Sequence, residues 1–159
     1  MRGWKALLLV CLTAACASAP KDSSSVGLEE ALQADLFRGG SVDLNADLAG
    51  GEPVALVFWQ AWCGSCVAEA PAVQKAYQDY KGRIKILGVV SGPDSAVDES
   101  KLLQRILELG LTYDQIRDRD TQLADLFHIT GTPTIIILDR AGKVVYDEHR
   151  VPASWDAYL

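Results

Sequence analysis

Apolar residues crowd into three short runs, 54–59, 84–90 and 134–138, each of a length that suits a buried strand. After the first run the period changes. Cys66, Ala70, Val73, Tyr77 and Tyr80 recur at steps of three and four, one face of a helix that begins near Cys63 and ends near 81–82. Pro71 removes one backbone bond from that helix and is expected to kink it. Further helices are expected over 28–36, ended by Gly39-Gly40, over 101–109, stopped by Gly110, over 121–127 and at the C-terminus over 153–158. Residues 41–44 read as a short edge strand, and Ala49-Gly50-Gly51 as the turn into the first central one. The loop 139–143, with Gly142 where a left-handed residue is wanted, turns the third run back into a strand at 144–146. The order is strand, helix, strand, helix, then a hairpin and a helix. That predicts one α/β domain: a central mixed β-sheet, a parallel crossover followed by an antiparallel pair, flanked by helices on both faces.

Composition changes this picture little. With 49% apolar and 23% charged residues, 159 residues suit one soluble domain plus a short extension. A net charge of −6 without any basic stripe gives nucleic acid nothing to bind. The N-terminus adds more. Arg2 and Lys5 precede an apolar stretch, 6–15, that is too short to anchor in a bilayer and reads as a secretory signal. Thr13-Ala14-Ala15-Cys16 resembles a bacterial lipobox, which would make Cys16 a lipid anchor and the mature N-terminus. Ordinary cleavage after Ala17-Ser18-Ala19 is the competing reading. Lipidation would leave 13 basic against 21 acidic residues, a net of −8. The expected organisation is a signal peptide over 1–15, a tether and N-terminal extension over 16–40, and the domain over 41–159, with no transmembrane span.

Of the four cysteines, Cys11 and Cys16 lie in the leader, so Cys63 and Cys66 are the pair left to the folded part. A thiol at a helix N-terminus faces unpaired N–H groups and the positive end of the dipole. In Cys-x-x-Cys motifs this lowers the first thiol's pKa from about 8.5 to roughly 3.5–7.5. Cys63 is therefore the expected nucleophile and Cys66 the resolving thiol, a pair built for dithiol–disulfide exchange. A structural zinc site would need two more ligands, and His128 and His149, 21 residues apart, lack ligand spacing. A copper carrier is the other reading of two such thiols.

Phe58-Trp59-x-x-Trp62-Cys63-x-x-Cys66, then Pro71, then Gly131-Thr132-Pro133-Thr134 before an apolar run, resemble the thioredoxin superfamily. With the leader, Glu69 and the 138–144 stretch, the chain is most similar to its TlpA/ResA-like, membrane-tethered extracytoplasmic thiol–disulfide oxidoreductases. The resemblance implies a thioredoxin-like fold over 41–159 and a redox-active Cys63–Cys66 disulfide with no other cofactor and no metal. It makes Pro133 a cis proline against the disulfide, with Thr132 offering its backbone to an extended substrate. Glu69 matches an acidic active-site residue. If buried, its desolvation would raise its pKa and let it exchange protons with Cys66. Ser65 stands where many relatives have proline. Trp62 is read as an apolar rim that touches substrate, Trp59 as core, and His128, Asp43, Asp47 and the acids of 118–120 as structural or solvated. A peroxidase is not indicated, since no Pro-x-x-x-Thr-x-x-Cys pattern surrounds either cysteine. The implied partners are a disulfide-containing protein, for which an oxidised apocytochrome c is a candidate, and a membrane thiol-electron donor. The protein itself is expected to be a monomer in a bacterial periplasm or cell envelope. A disulfide oxidase or isomerase would use the same residues in reverse.

Overall fold

A computed structural model describes residues 32–159, so the expected signal peptide, Cys16 and residues 28–31 lie outside the described residues. Five strands form the central sheet: β3 (Val54–Phe58), β4 (Lys85–Ser91), β5 (Gln115–Asp118), β6 (Thr134–Leu138) and β7 (Val144–Glu148), in the order β5-β4-β3-β6-β7. The pairs β3–β4 and β4–β5 are parallel, while β3–β6 and β6–β7 are antiparallel. This is the expected mixed sheet with one strand more. β5 escapes sequence reading because three of its four residues, Gln115, Arg117 and Asp118, are polar yet buried. The tight return at Gly142 has φ +73°, a conformation that glycine adopts without a Cβ clash.

Alternation along the strands sorts two cores. Ala55, Val57, Ile86, Val90, Ile135 and Ile137 face helices α2 (Gly64–Asp79) and α3 (Glu99–Glu108). Val54, Leu56, Phe58, Leu87, Val89 and Ile136 face α1 (Leu44–Ala49) and α4 (Gln122–Leu126). α2 runs on through Pro71 and buries Cys66, Ala70, Val73 and Ala76 against the first core. A helix of this kind is held by its packed face more than by propensity.

Four expectations fail. In place of the helix over 28–36, the described part holds a strand, β1 (Gln33–Asp35), paired antiparallel with β2 (Ser41–Asp43). Leu32, Ala34 and Leu36 are half-buried between exposed Gln33 and Asp35, a period of two that the leucine spacing hides. Gly40 closes this hairpin by accepting from the Leu36 N–H at 3.0 Å, and Phe37 N–H reaches the Gln115 carbonyl of the main sheet at 2.7 Å. Leu44 does not extend β2 but opens α1, with Asp43 as its N-cap accepting from Ala46 N–H at 3.0 Å. The C-terminal helix shrinks to a single 3₁₀ turn at Asp156–Tyr158, beside buried Trp155. Asp118 is buried rather than solvated. Its carboxylate accepts from the Ser91 hydroxyl at 2.6 Å and from the Leu123 and Ala124 N–H groups at 3.1 Å, capping α4.

Candidate active site

β3 aims the chain at the site and the next two residues are pinned there. Trp59 N–H donates to the Val89 carbonyl at 3.0 Å, and its indole N–H to Gln115 Oε1 at 2.9 Å. The Gln115 side chain fits only because residue 88 is glycine: a Cβ there would lie 2.0 Å from Gln115 Oε1. Gln60 Nε2 donates to the Ser91 carbonyl at 2.8 Å. The tight hold on 59–60 leaves Trp62 to project, 77% exposed, immediately before Cys63.

Cys63 is the N-cap of α2 in extended backbone (φ −80°, ψ 109°), and its Sγ accepts from the Cys66 N–H at 3.2 Å. The two sulfurs form a disulfide of 2.15 Å across a Cα separation of 5.3 Å. An N–H aimed at Sγ, at the positive end of a sixteen-residue helix, favours the anion once the bond is reduced. Ser65 Oγ and the Thr132 carbonyl each lie 3.4 Å from the Cys63 sulfur. The Thr132–Pro133 peptide bond is cis, and the Thr132 carbonyl contact sets this turn beside the disulfide. Thr134 Oγ1 donates to the Gly131 carbonyl at 2.7 Å and so closes the turn.

Glu69, one turn beyond Cys66, is half-buried, and its Oε2 accepts from the Val151 N–H at 3.0 Å. With Cys66, Trp59, Tyr113 and Pro133 it lines a cavity of about 10 Å³, the size at which one water begins to fit. Burial pushes the Tyr113 phenol well above its ordinary range, so it stays a neutral hydroxyl there.

The structure thus gathers Trp62, Cys63, Cys66, Glu69, Thr132 and Pro133 into one region, and two further residues join it without a sequence signal of their own. His149 Nδ1 lies 2.9 Å from both the Pro133 carbonyl and Thr134 Oγ1. Hairpin register could have found it, because Ile135 pairs with Glu148 and so sets 134 beside 149. Gln115, which holds the Trp59 indole, comes from the strand that polarity concealed. His128 stays apart, exposed after α4 with φ +53°. Among the described residues no group of three or more His, Cys, Asp or Glu stands close enough to hold a metal ion.

The AhpC/TSA family profile matches residues 29–147, three-quarters of the chain, and takes in both cysteines, Glu69 and the cis-proline turn. The chain belongs to the AhpC/TSA family. Within it the fold is thioredoxin-like. The chain is 31% identical over 129 residues to the thioredoxin-like protein YneN of Bacillus subtilis, covering 78% of this chain and 73% of that protein. It is 33% identical over 96 residues to the thiol-disulfide oxidoreductase ResA of Oceanobacillus iheyensis, covering 59% of this chain and 47% of the relative. The chain spans about half the length of the ResA relatives that it matches. Among solved structures, the thioredoxin domain of a Bacteroides vulgatus thiol-disulfide oxidoreductase superposes with a TM-score of 0.64 at 31% identity, covering 77% of this chain and 86% of that one.

Proposed function

We propose that this family member is an extracytoplasmic thiol–disulfide oxidoreductase that reduces protein disulfides through Cys63 and Cys66. One observation carries the reading: Cys63 caps α2, receives the Cys66 N–H, and faces the cis Thr132–Pro133 turn. In the reduced protein the Cys63 thiolate attacks one sulfur of a substrate disulfide. A Cys63–substrate disulfide forms and the other substrate sulfur leaves as a thiolate. Cys66, its proton taken by the Glu69 carboxylate across the small cavity, then attacks Cys63 Sγ. The Cys63–Cys66 disulfide forms and the second substrate thiolate leaves. Two electrons pass from protein to substrate; one substrate sulfur is protonated with the proton Glu69 took from Cys66, the other from solvent. Thr132 supplies backbone pairing to an extended substrate and Trp62 an apolar contact.

The leader and Cys16 support export with a lipid tether, in a compartment where disulfides persist and the pair must be recharged. By resemblance, a membrane thiol donor recharges it and oxidised apocytochrome c is one substrate. Among the described residues no helix is long and apolar enough to cross a membrane. Equilibration of the Cys63–Cys66 pair with dithiothreitol and glutathione buffers tests the direction of transfer. A potential near about −270 mV is expected of a reducing dithiol. A value near about −120 mV, that of a strong oxidant, would recast the protein as a disulfide donor.

A further inference from the structure

Trp62 has a second neighbourhood. Between it and α3 runs a groove of about 450 Å³, within the roughly 300–1,000 Å³ of sites that bind small molecules. No residue of the cis-proline turn lines it. Ala61, Ala96 and Val97 give it apolar surface, the Trp62 indole stands on one side, and Lys101, Gln104, Arg105 and Glu108 of α3 on the other. Those four recur at helical spacing, so one face of α3 makes the wall.

The walls are fixed from behind. Arg105 Nε donates to the Ala61 carbonyl at 3.2 Å, which ties α3 to the loop that carries Trp62 and Cys63. The Arg117 side chain is fully buried. It donates to the Val90 carbonyl at 3.1 Å, the Gly92 carbonyl at 2.7 Å and Asp94 Oδ1 at 3.2 Å. That holds the loop which ends at Ala96 and Val97.

The rim carries no net charge. Lys101 pairs with Asp98 at 3.3 Å and Arg105 with Glu108 at 2.9 Å, and Gln104 Nε2 donates to Glu108 at 2.8 Å. Two acids and two bases balance among the lining residues, so the groove offers an ionic ligand no net attraction. An apolar group needs no charged partner and buries against the indole and the alanine–valine surface. The same indole borders Cys63, so the occupant is part of whatever brings a disulfide to that sulfur.

We propose that the groove takes a large apolar side chain, aromatic or branched aliphatic, from the polypeptide beside the substrate's reacting cysteine. The proposal rests on the exchange activity proposed above and names the feature by which the site selects its substrate.

The test uses the reduced full-length protein and short peptides whose single cysteine is disulfide-bonded to thionitrobenzoate. The peptides differ only in the flanking residues, varied on either side of the cysteine as Phe, Leu, Ala or Asp. Single-turnover release of the coloured thiolate should give second-order rate constants for the Phe and Leu peptides roughly tenfold above Ala on one side, and Asp lowest. In Ala96→Trp, which fills the groove, and in Val97→Asp, which charges its apolar surface, the Phe-to-Ala ratio should fall to near one. Equal rates for all four peptides, or a ratio that survives both substitutions, would overturn the groove assignment alone. Failure to exchange with any peptide and with hydroxyethyl disulfide would remove the oxidoreductase reading, and this proposal with it.

Discussion

A carbonyl only accepts, so the 2.9 Å contact between His149 Nδ1 and Pro133 requires a proton on that nitrogen. Imidazole with its proton on Nδ1, or imidazolium, meets this need. The Asn side chain can set its amide nitrogen near the same place. His149→Asn should therefore keep the turn, whereas His149→Ala should lose up to about 1 kcal/mol, little because the residue is exposed. Peptide-disulfide exchange should slow in the alanine variant and recover in the asparagine one, with denaturant unfolding to separate stability from rate. Equal slowing in both would mean that the ring's bulk, not its proton, supports the turn. Glu69 poses the complementary question, about a proton that moves. Gln retains an acceptor for the Val151 N–H but cannot take a proton from Cys66. Glu69→Gln should keep the fold and alter the pH dependence of exchange; superimposable pH–rate profiles would leave Glu69 as an anchor for residue 151 only.

Asp98 shows how one residue governs an element. It caps α3, accepting from the Ser100 hydroxyl at 2.6 Å and from the Ser100 and Lys101 N–H groups at 3.1 Å. The Ser100 hydroxyl first, then Lys101, holds its carboxyl at about 2, below the ordinary 3.8. An acid whose pKa falls on folding adds stability that is complete above the unfolded value and is lost as pH drops through the folded one. Asp98→Ala should therefore melt below the parent protein near neutral pH, with the gap closing as pH falls from about 4 to about 2. A gap that stays constant across that window would mean that capping does not depend on the charge. Legibility in the sequence follows the same physics. The runs at β3, β4 and β6 could be read because they are apolar throughout, and α2 because its buried face keeps a helical period. β5 could not, since Arg117 and Asp118 are buried against partners distant in sequence, Gly92, Asp94 and Ser91. The 33–35 strand was hidden because three leucines at helical steps also satisfy a period of two. Cys63, Cys66 and Pro133 stood in local motifs, whereas His149 gains meaning only from the register of a hairpin.

For the molecule as a whole, charge acts over distances that no single contact covers. The chain carries −6, while the charges lining the groove beside Cys63 cancel in pairs. A small disulfide that approaches the site should therefore feel the distant field more than any local ion. At about 0.01 M ionic strength that field reaches roughly 30 Å, and at about 1 M only about 3 Å. Reduced protein should accordingly exchange several-fold faster with cationic cystamine than with anionic dithiodiglycolate in dilute buffer. Each rate must be normalised to that of the same disulfide with free dithiothreitol, because the leaving thiols differ in acidity. The normalised ratio should approach one as salt is raised. If it were unchanged by salt, a charge in contact with the ligand would be setting the preference, and the paired rim would have to open when substrate binds. If it were inverted in dilute buffer, the acidic surface would have to lie away from Cys63. Exchange would then be governed by the neutral, apolar neighbourhood of Trp62 alone.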